Sequence, residues 1–84
     1  MHEESINEPL RKVYALFDEG KIQPLALEWG KKKLKVTRIN SNWIDRSLRP
    51  HRHGFSLTMQ TGEIFQVSYE EGNPVWRLEY ILMD

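Results

Sequence analysis

Phe55, Leu57 and Met59 alternate with Ser56, Thr58 and Gln60, and beyond Thr61-Gly62 the pattern resumes as Phe65, Val67 and Tyr69. A period of two places alternate side chains on opposite faces of an extended strand, so this stretch reads as a hairpin with one apolar face. The same period runs through most of the chain. Val13, Ala15 and Phe17 alternate with Lys12, Tyr14 and Leu16; Leu25, Leu27 and Trp29 with Ala26 and Glu28; Trp76, Leu78, Tyr80 and Leu82 with Arg77, Glu79 and Ile81. Turn chemistry separates these runs: Asp18-Glu19-Gly20-Lys21, Gly30 with the lysines after it, Thr61-Gly62, and Glu70-Glu71-Gly72-Asn73-Pro74. Short turns join antiparallel neighbours. An open meander exposes two edges, which small proteins curl or close to protect. The expectation is an all-β fold, a small antiparallel roll or partly open barrel of five to six strands.

The expected core is Val13, Phe17, Leu25, Leu27, Trp29, Leu34, Val36, Phe55, Leu57, Met59, Phe65, Val67, Trp76, Leu78 and Leu82. Pro24 lacks an N–H and marks an edge or a bulged start. The phase slips near Arg38 and Ile39, where a bulge or strand end is expected. Residues 40–43 read as a turn or short coil, with room for a helical turn over 41–48. Residues 1–9, polar and ending in Pro9, read as a flexible arm, with residues 10–84 as a single β domain.

At 84 residues the chain holds one domain at most. It has no cysteine, which removes disulfides, thiolate zinc sites and a cysteine nucleophile together. No apolar run approaches the ~20 residues of a membrane span, and the polar start lacks a signal-peptide pattern. The expected location is the cytoplasm, without membrane association.

Charge is the informative part of the composition. The chain is neutral, yet between Gly30 and His53 eight bases face one acid, Asp45, for a local charge of +7 balanced by −7 elsewhere. Lys31, Lys33, Lys35, Arg38, Arg46, Arg49 and Arg52, with Trp43 as a stacking residue, form a candidate nucleic-acid-binding set, since single-strand binders combine a positive groove with aromatic platforms. Phe55 flanks the same segment. The plain alternative is a solvated strand face, because lysine also guards sheet edges.

Catalytic and metal readings are weaker. His51 and His53 stand at i, i+2, but a zinc site needs three or four ligands, and the nearby sequence is basic. Asp45, Ser47 and His51 have the letters of a triad without a spacing that predicts its geometry. The acid pairs Asp18-Glu19 and Glu70-Glu71 fall in turns, where solvation is the default. No glycine-rich phosphate loop is present. The expectation is therefore no enzyme, no metal and no cofactor.

Residues 21–45, with Pro24, Trp29, Gly30 and Trp43 at their spacing, and 54–84, with a hairpin and a final Trp76-x-Leu78 strand, resemble a family of small bacterial domains of unknown function. Some of its members are fused to, or encoded near, relatives of the translesion Y-family DNA polymerases. The resemblance covers residues 12–84 and implies an accessory role in DNA repair; it brings no site residues with it. The expected function is non-enzymatic binding, with single-stranded nucleic acid or a DNA-repair protein as partner. The alternative is a protein-interaction module that docks an acidic partner or self-associates, the chain being a monomer or weak homo-oligomer.

Overall fold

The computed structural model describes residues 2–83, and all of its regular structure is β. Seven strands run in chain order: β1 His2–Pro9, β2 Lys12–Asp18, β3 Lys21–Trp29, β4 Lys32–Asp45, β5 Arg52–Met59, β6 Ile64–Glu70 and β7 Trp76–Met83. They form one antiparallel sheet in the order β1-β7-β6-β5-β4-β3-β2. The sheet is open, since β1 and β2 are its two edges. These edges are consecutive in the chain, joined by Leu10 and Arg11, so the sheet must curl to bring them near each other. Leu10 holds that corner: its N–H donates to the carbonyl of Trp76 at 2.8 Å, and its side chain is buried. The expected roll is present, with one more strand than the upper expectation. The additional strand is β1, the segment expected as an arm. It lies along β7 from His2 opposite Met83 to Pro9 opposite Arg77.

The concave face carries the core, in which Leu10, Leu27, Leu34, Phe55, Leu57, Met59, Phe65, Val67, Leu78 and Ile81 form one cluster. Most of the expected core positions are in this cluster or pack at its margin, and the exceptions are Leu25, Leu82 and Phe17. The first two trace to bulges. Leu25 is exposed because the β2–β3 register jumps from Tyr14 opposite Ala26 to Ala15 opposite Pro24, which leaves Leu25 as the extra residue. An extra residue in one strand reverses the facing of the residues beyond it. In β7 the jump from Gln66–Tyr80 to Val67–Leu78 leaves Glu79 extra, so Ile81 takes the buried place expected for Leu82. Phe17 keeps the inward phase but sits at the tip of the β2–β3 hairpin, beyond the sheet that would cover it, and is 72% exposed.

β4 is the longest strand. The expected phase slip is two bulges, at Thr37 and Asn40, between pairs Val36–Met59, Arg38–Thr58, Ile39–Leu57 and Ser41–Ser56. Both extra residues are pinned to one partner: Thr37 Oγ1 donates to the carbonyl of Thr58 at 3.1 Å, and Asn40 Nδ2 to its hydroxyl at 2.9 Å. The coil expected at 40–43 is therefore strand, and the helical turn over 41–48 is absent; irregular structure begins only after Asp45.

Candidate nucleic-acid interface

Two bulges in β4 restore its phase, so Lys33, Lys35, Arg38, Trp43 and Asp45 share the outer, convex face. Of the expected set, Arg52 joins them from β5, opposite Asp45, while Arg46 and Arg49 lie in the loop after β4 and Lys31 in the β3–β4 turn. These residues form a stripe along one strand. At about 3.3 Å per residue, Lys31 and Arg49 belong to opposite ends of it.

The cations are not equivalent. Arg52 is held by Glu70, with 3.4 Å between guanidinium and carboxylate. Lys33 Nζ lies 4.2 Å over the centre of the Tyr14 ring, and that phenol donates to Glu28, which also pairs with Lys12 at 3.7 Å. Among the described residues no carboxylate lies within salt-bridge distance of Lys31, Lys35, Arg38, Arg46 or Arg49. Those five, all exposed, are the ones a phosphate could meet without displacing an acid.

Trp43 stands directly opposite Gly54. A Cβ built on Gly54 would lie within 3.0 Å of Nε1, Cε2 and Cζ2 of the indole, and the three atoms are nearly equidistant from it. The nearest of the three is Cε2, which is bonded to the other two; an approach in the ring plane would bring Nε1 and Cζ2 nearer instead, so the ring presents its face, not its edge. The glycine is thus the seat of the indole, and Trp43 remains 39% exposed. Phe55, the other candidate for stacking, is 6% exposed and packs inside the core.

The loop from Arg46 to His51 is anchored at both ends. Asp45 Oδ1 accepts from the N–H and the hydroxyl of Ser47 at 3.0 and 2.6 Å, and these bonds hold the Asp45 carboxyl below its usual range. At the far end the N–H of Glu71 donates to the carbonyl of His51. Glu71 Oε1 lies 2.8 Å from Nε2 of His53 and 3.7 Å from Nδ1 of His51. The His53 bond is the main cause of a lowered Glu71 pKa. The acid pair Glu70-Glu71, expected as solvated turn residues, instead serves the two strand-start residues Arg52 and His53. Among the described residues no cluster of three metal-ligating side chains occurs.

On the concave face, His53, Tyr69 and Trp76 line up across β5, β6 and β7. His53 and Tyr69 stack with centroids 4.8 Å apart and planes at 4°, and Tyr69 and Trp76 lie 4.7 Å apart. Burial in this row, and the Glu71 charge beside it, push the Tyr69 phenol upward. His53 and Tyr69 of this row border an open cleft of about 580 Å³. Its other wall is the hairpin tip, Gly20 to Gln23, and β4 lines it through Ile39, Asn42, Trp43 and Ile44. The cleft exists because β3 and β4 part company: their register ends at Ala26–Lys35, and from Val36 onward β4 pairs with β5 instead. The sequence pattern missed Gly54, Tyr69, Glu70 and Glu71 as members of this neighbourhood. Only the β5–β6 register, which sets Arg52 opposite Glu70 and His53 opposite Tyr69, brings them in.

Comparison with known protein families, curated proteins and solved structures finds no match to this chain.

Proposed function

We propose that this chain is a non-enzymatic binding domain that holds single-stranded nucleic acid across the outer face of β4. The observation that supports the reading is the Trp43 indole seated face-on over Gly54 and still 39% exposed, on the same strand face as Lys35 and Arg38. A ring already fixed in position stacks on a base at little further entropic cost, and stacking on an aromatic contributes about 1–3 kcal/mol per base. In this reading Lys35 and Arg38 on one side, and Arg46 and Arg49 on the other, would meet the flanking phosphates. Within this reading, the resemblance to domains associated with translesion polymerases suggests DNA repair as the setting. Docking of an acidic protein would use the same unpaired cations but would not need the exposed indole of Trp43.

The test is a titration of the isotope-labelled protein with a short single-stranded oligonucleotide, monitored by NMR at low and at higher salt. Saturable shifts are expected on residues 35–52, centred on the Trp43 indole N–H, and weakened by salt. No shifts at low salt, where electrostatic attraction is strongest, would overturn the proposal. Oligonucleotide binding that persists unchanged in Trp43→Ala would remove stacking from the reading and leave it resting on the cations alone.

A further inference from the structure

The two edges of the sheet are protected very differently. β1 carries Glu3, Glu4 and Glu8, ends in Pro9, and is bulged between Ser5 and Glu8 with Asn7 at positive φ. Charges, proline and bulges are the devices that keep an edge from pairing with another chain. β2, Lys-Val-Tyr-Ala-Leu-Phe-Asp, has no proline and no extra residue of its own; the bulge in its ladder belongs to β3. Four of the large apolar side chains exposed in this molecule lie on its hairpin: Tyr14, Leu16, Phe17 and Leu25.

We propose that β2 pairs with β2 of a second copy of this chain, antiparallel and centred on Ala15, to make a two-fold symmetric dimer with one continuous sheet. The seven residues are self-complementary in that register. Lys12 meets Asp18 of the other copy, Val13 meets Phe17, Tyr14 meets Leu16, and Ala15 meets Ala15, with every pair on matching faces. On the outer face the junction completes a row of alternating charge. Glu28 stands opposite Lys12 within one copy, and Asp18 stands opposite Lys21 in the other. Directly opposed unlike charges stabilise a strand pair.

The backbone agrees with this register. Glu19 and Gly20, both at positive φ, form the two-residue loop of the β2–β3 hairpin. In such a hairpin the flanking pair, here Asp18 and Lys21, exchanges both of its hydrogen bonds. The even-numbered residues of β2 therefore face β3 with their N–H and C=O groups. Those of Val13, Ala15 and Phe17 face the open edge, ready to bond Phe17, Ala15 and Val13 of the second copy. The pairing uses the same element of both copies and leaves the charged β1 edges outside, so it closes at two.

The proposal is tested by sedimentation of the full chain over a wide concentration range, alongside an Ala15→Pro variant. The wild-type mass is expected to rise from 10.0 kDa toward its double as concentration increases. Ala15→Pro removes an N–H that faces solvent in the monomer, so its circular dichroism is expected to be unchanged while its mass stays monomeric. A wild type that stays monomeric at the highest concentration, or a folded Ala15→Pro that dimerises equally well, would overturn the proposal. Should Ala15→Pro fail to fold, Asp18→Lys decides. Its lysines would oppose Lys12 across the junction, so a monomer is the expected result, with dimerisation restored by adding Lys12→Asp. Undiminished dimerisation of Asp18→Lys would equally overturn the pairing.

Discussion

Trp43 lies face-on over Gly54, its partner across the β4–β5 ladder, at a distance that leaves no room for a β-carbon. The pair couples a structural requirement to a surface feature. A glycine weakens a strand interior because it has nothing to pack, and an aromatic ring laid across it makes good that loss. The same contact fixes the ring where a base could stack. Gly54→Ala is therefore expected to destabilise the fold by about 1–3 kcal/mol through overpacking. In the Trp43→Ala background the same substitution is expected to cost much less, and chemical denaturation of the four proteins reads that difference directly.

The core and the hairpin tip should respond unequally to truncation. Leu57 is fully buried, so Leu57→Ala is expected to cost about 2–5 kcal/mol. For a small domain with a total stability of about 5 kcal/mol that is close to unfolding. Phe17→Ala, at a site 72% exposed, is expected to change stability by less than about 0.5 kcal/mol in dilute solution. Thermal or urea melts of both variants check the contrast.

Acid should loosen the β5 start. The Glu71 carboxyl is lowered chiefly by its bond to His53, and Asp45 by its bonds to Ser47. A carboxyl whose folded-state pKa is depressed stabilises the fold above its unfolded value, here 4.5 for Glu71 and 3.8 for Asp45. That contribution is lost as pH falls through the lower, folded-state value. Glu71→Gln is expected to be less stable than the wild type at neutral pH and to show a shallower loss below pH ~4. Stability measured across pH ~2–7 for both proteins tests this.

Arg38 and Arg52 should separate on an oligonucleotide. Arg38 has no acidic partner among the described residues, whereas Arg52 is engaged by Glu70. Arg38→Ala is expected to reduce the slope of log affinity against log salt by about 0.7, the value for one phosphate contact on a single strand. Arg52→Ala is expected to leave that slope nearly unchanged. Equal effects from the two substitutions would mean that the Glu70 pair opens on binding.

The alternation of Phe55, Leu57 and Met59 with polar neighbours, and its answer in Phe65 and Val67, determined the all-β class, the central hairpins and most of the core, because a period of two is a local property of an extended chain. The glycine turns at 20, 30 and 62 were legible for the same reason. Bulges were not placed to the residue: Leu25 and Glu79 look like any other members of their runs until a partner strand counts two residues against one. The strand nature of residues 2–9 was hidden as well, since a charged edge strand has no apolar face to announce it and is defined by β7 beside it. For the candidate site, the sequence marked the basic stripe and Trp43. Only the tertiary structure distinguished the unpaired Arg38 from the paired Arg52 and put Gly54 beneath the indole. Register between distant strands decides those contacts, and register is a property of the assembled sheet, set by packing, that no single strand contains.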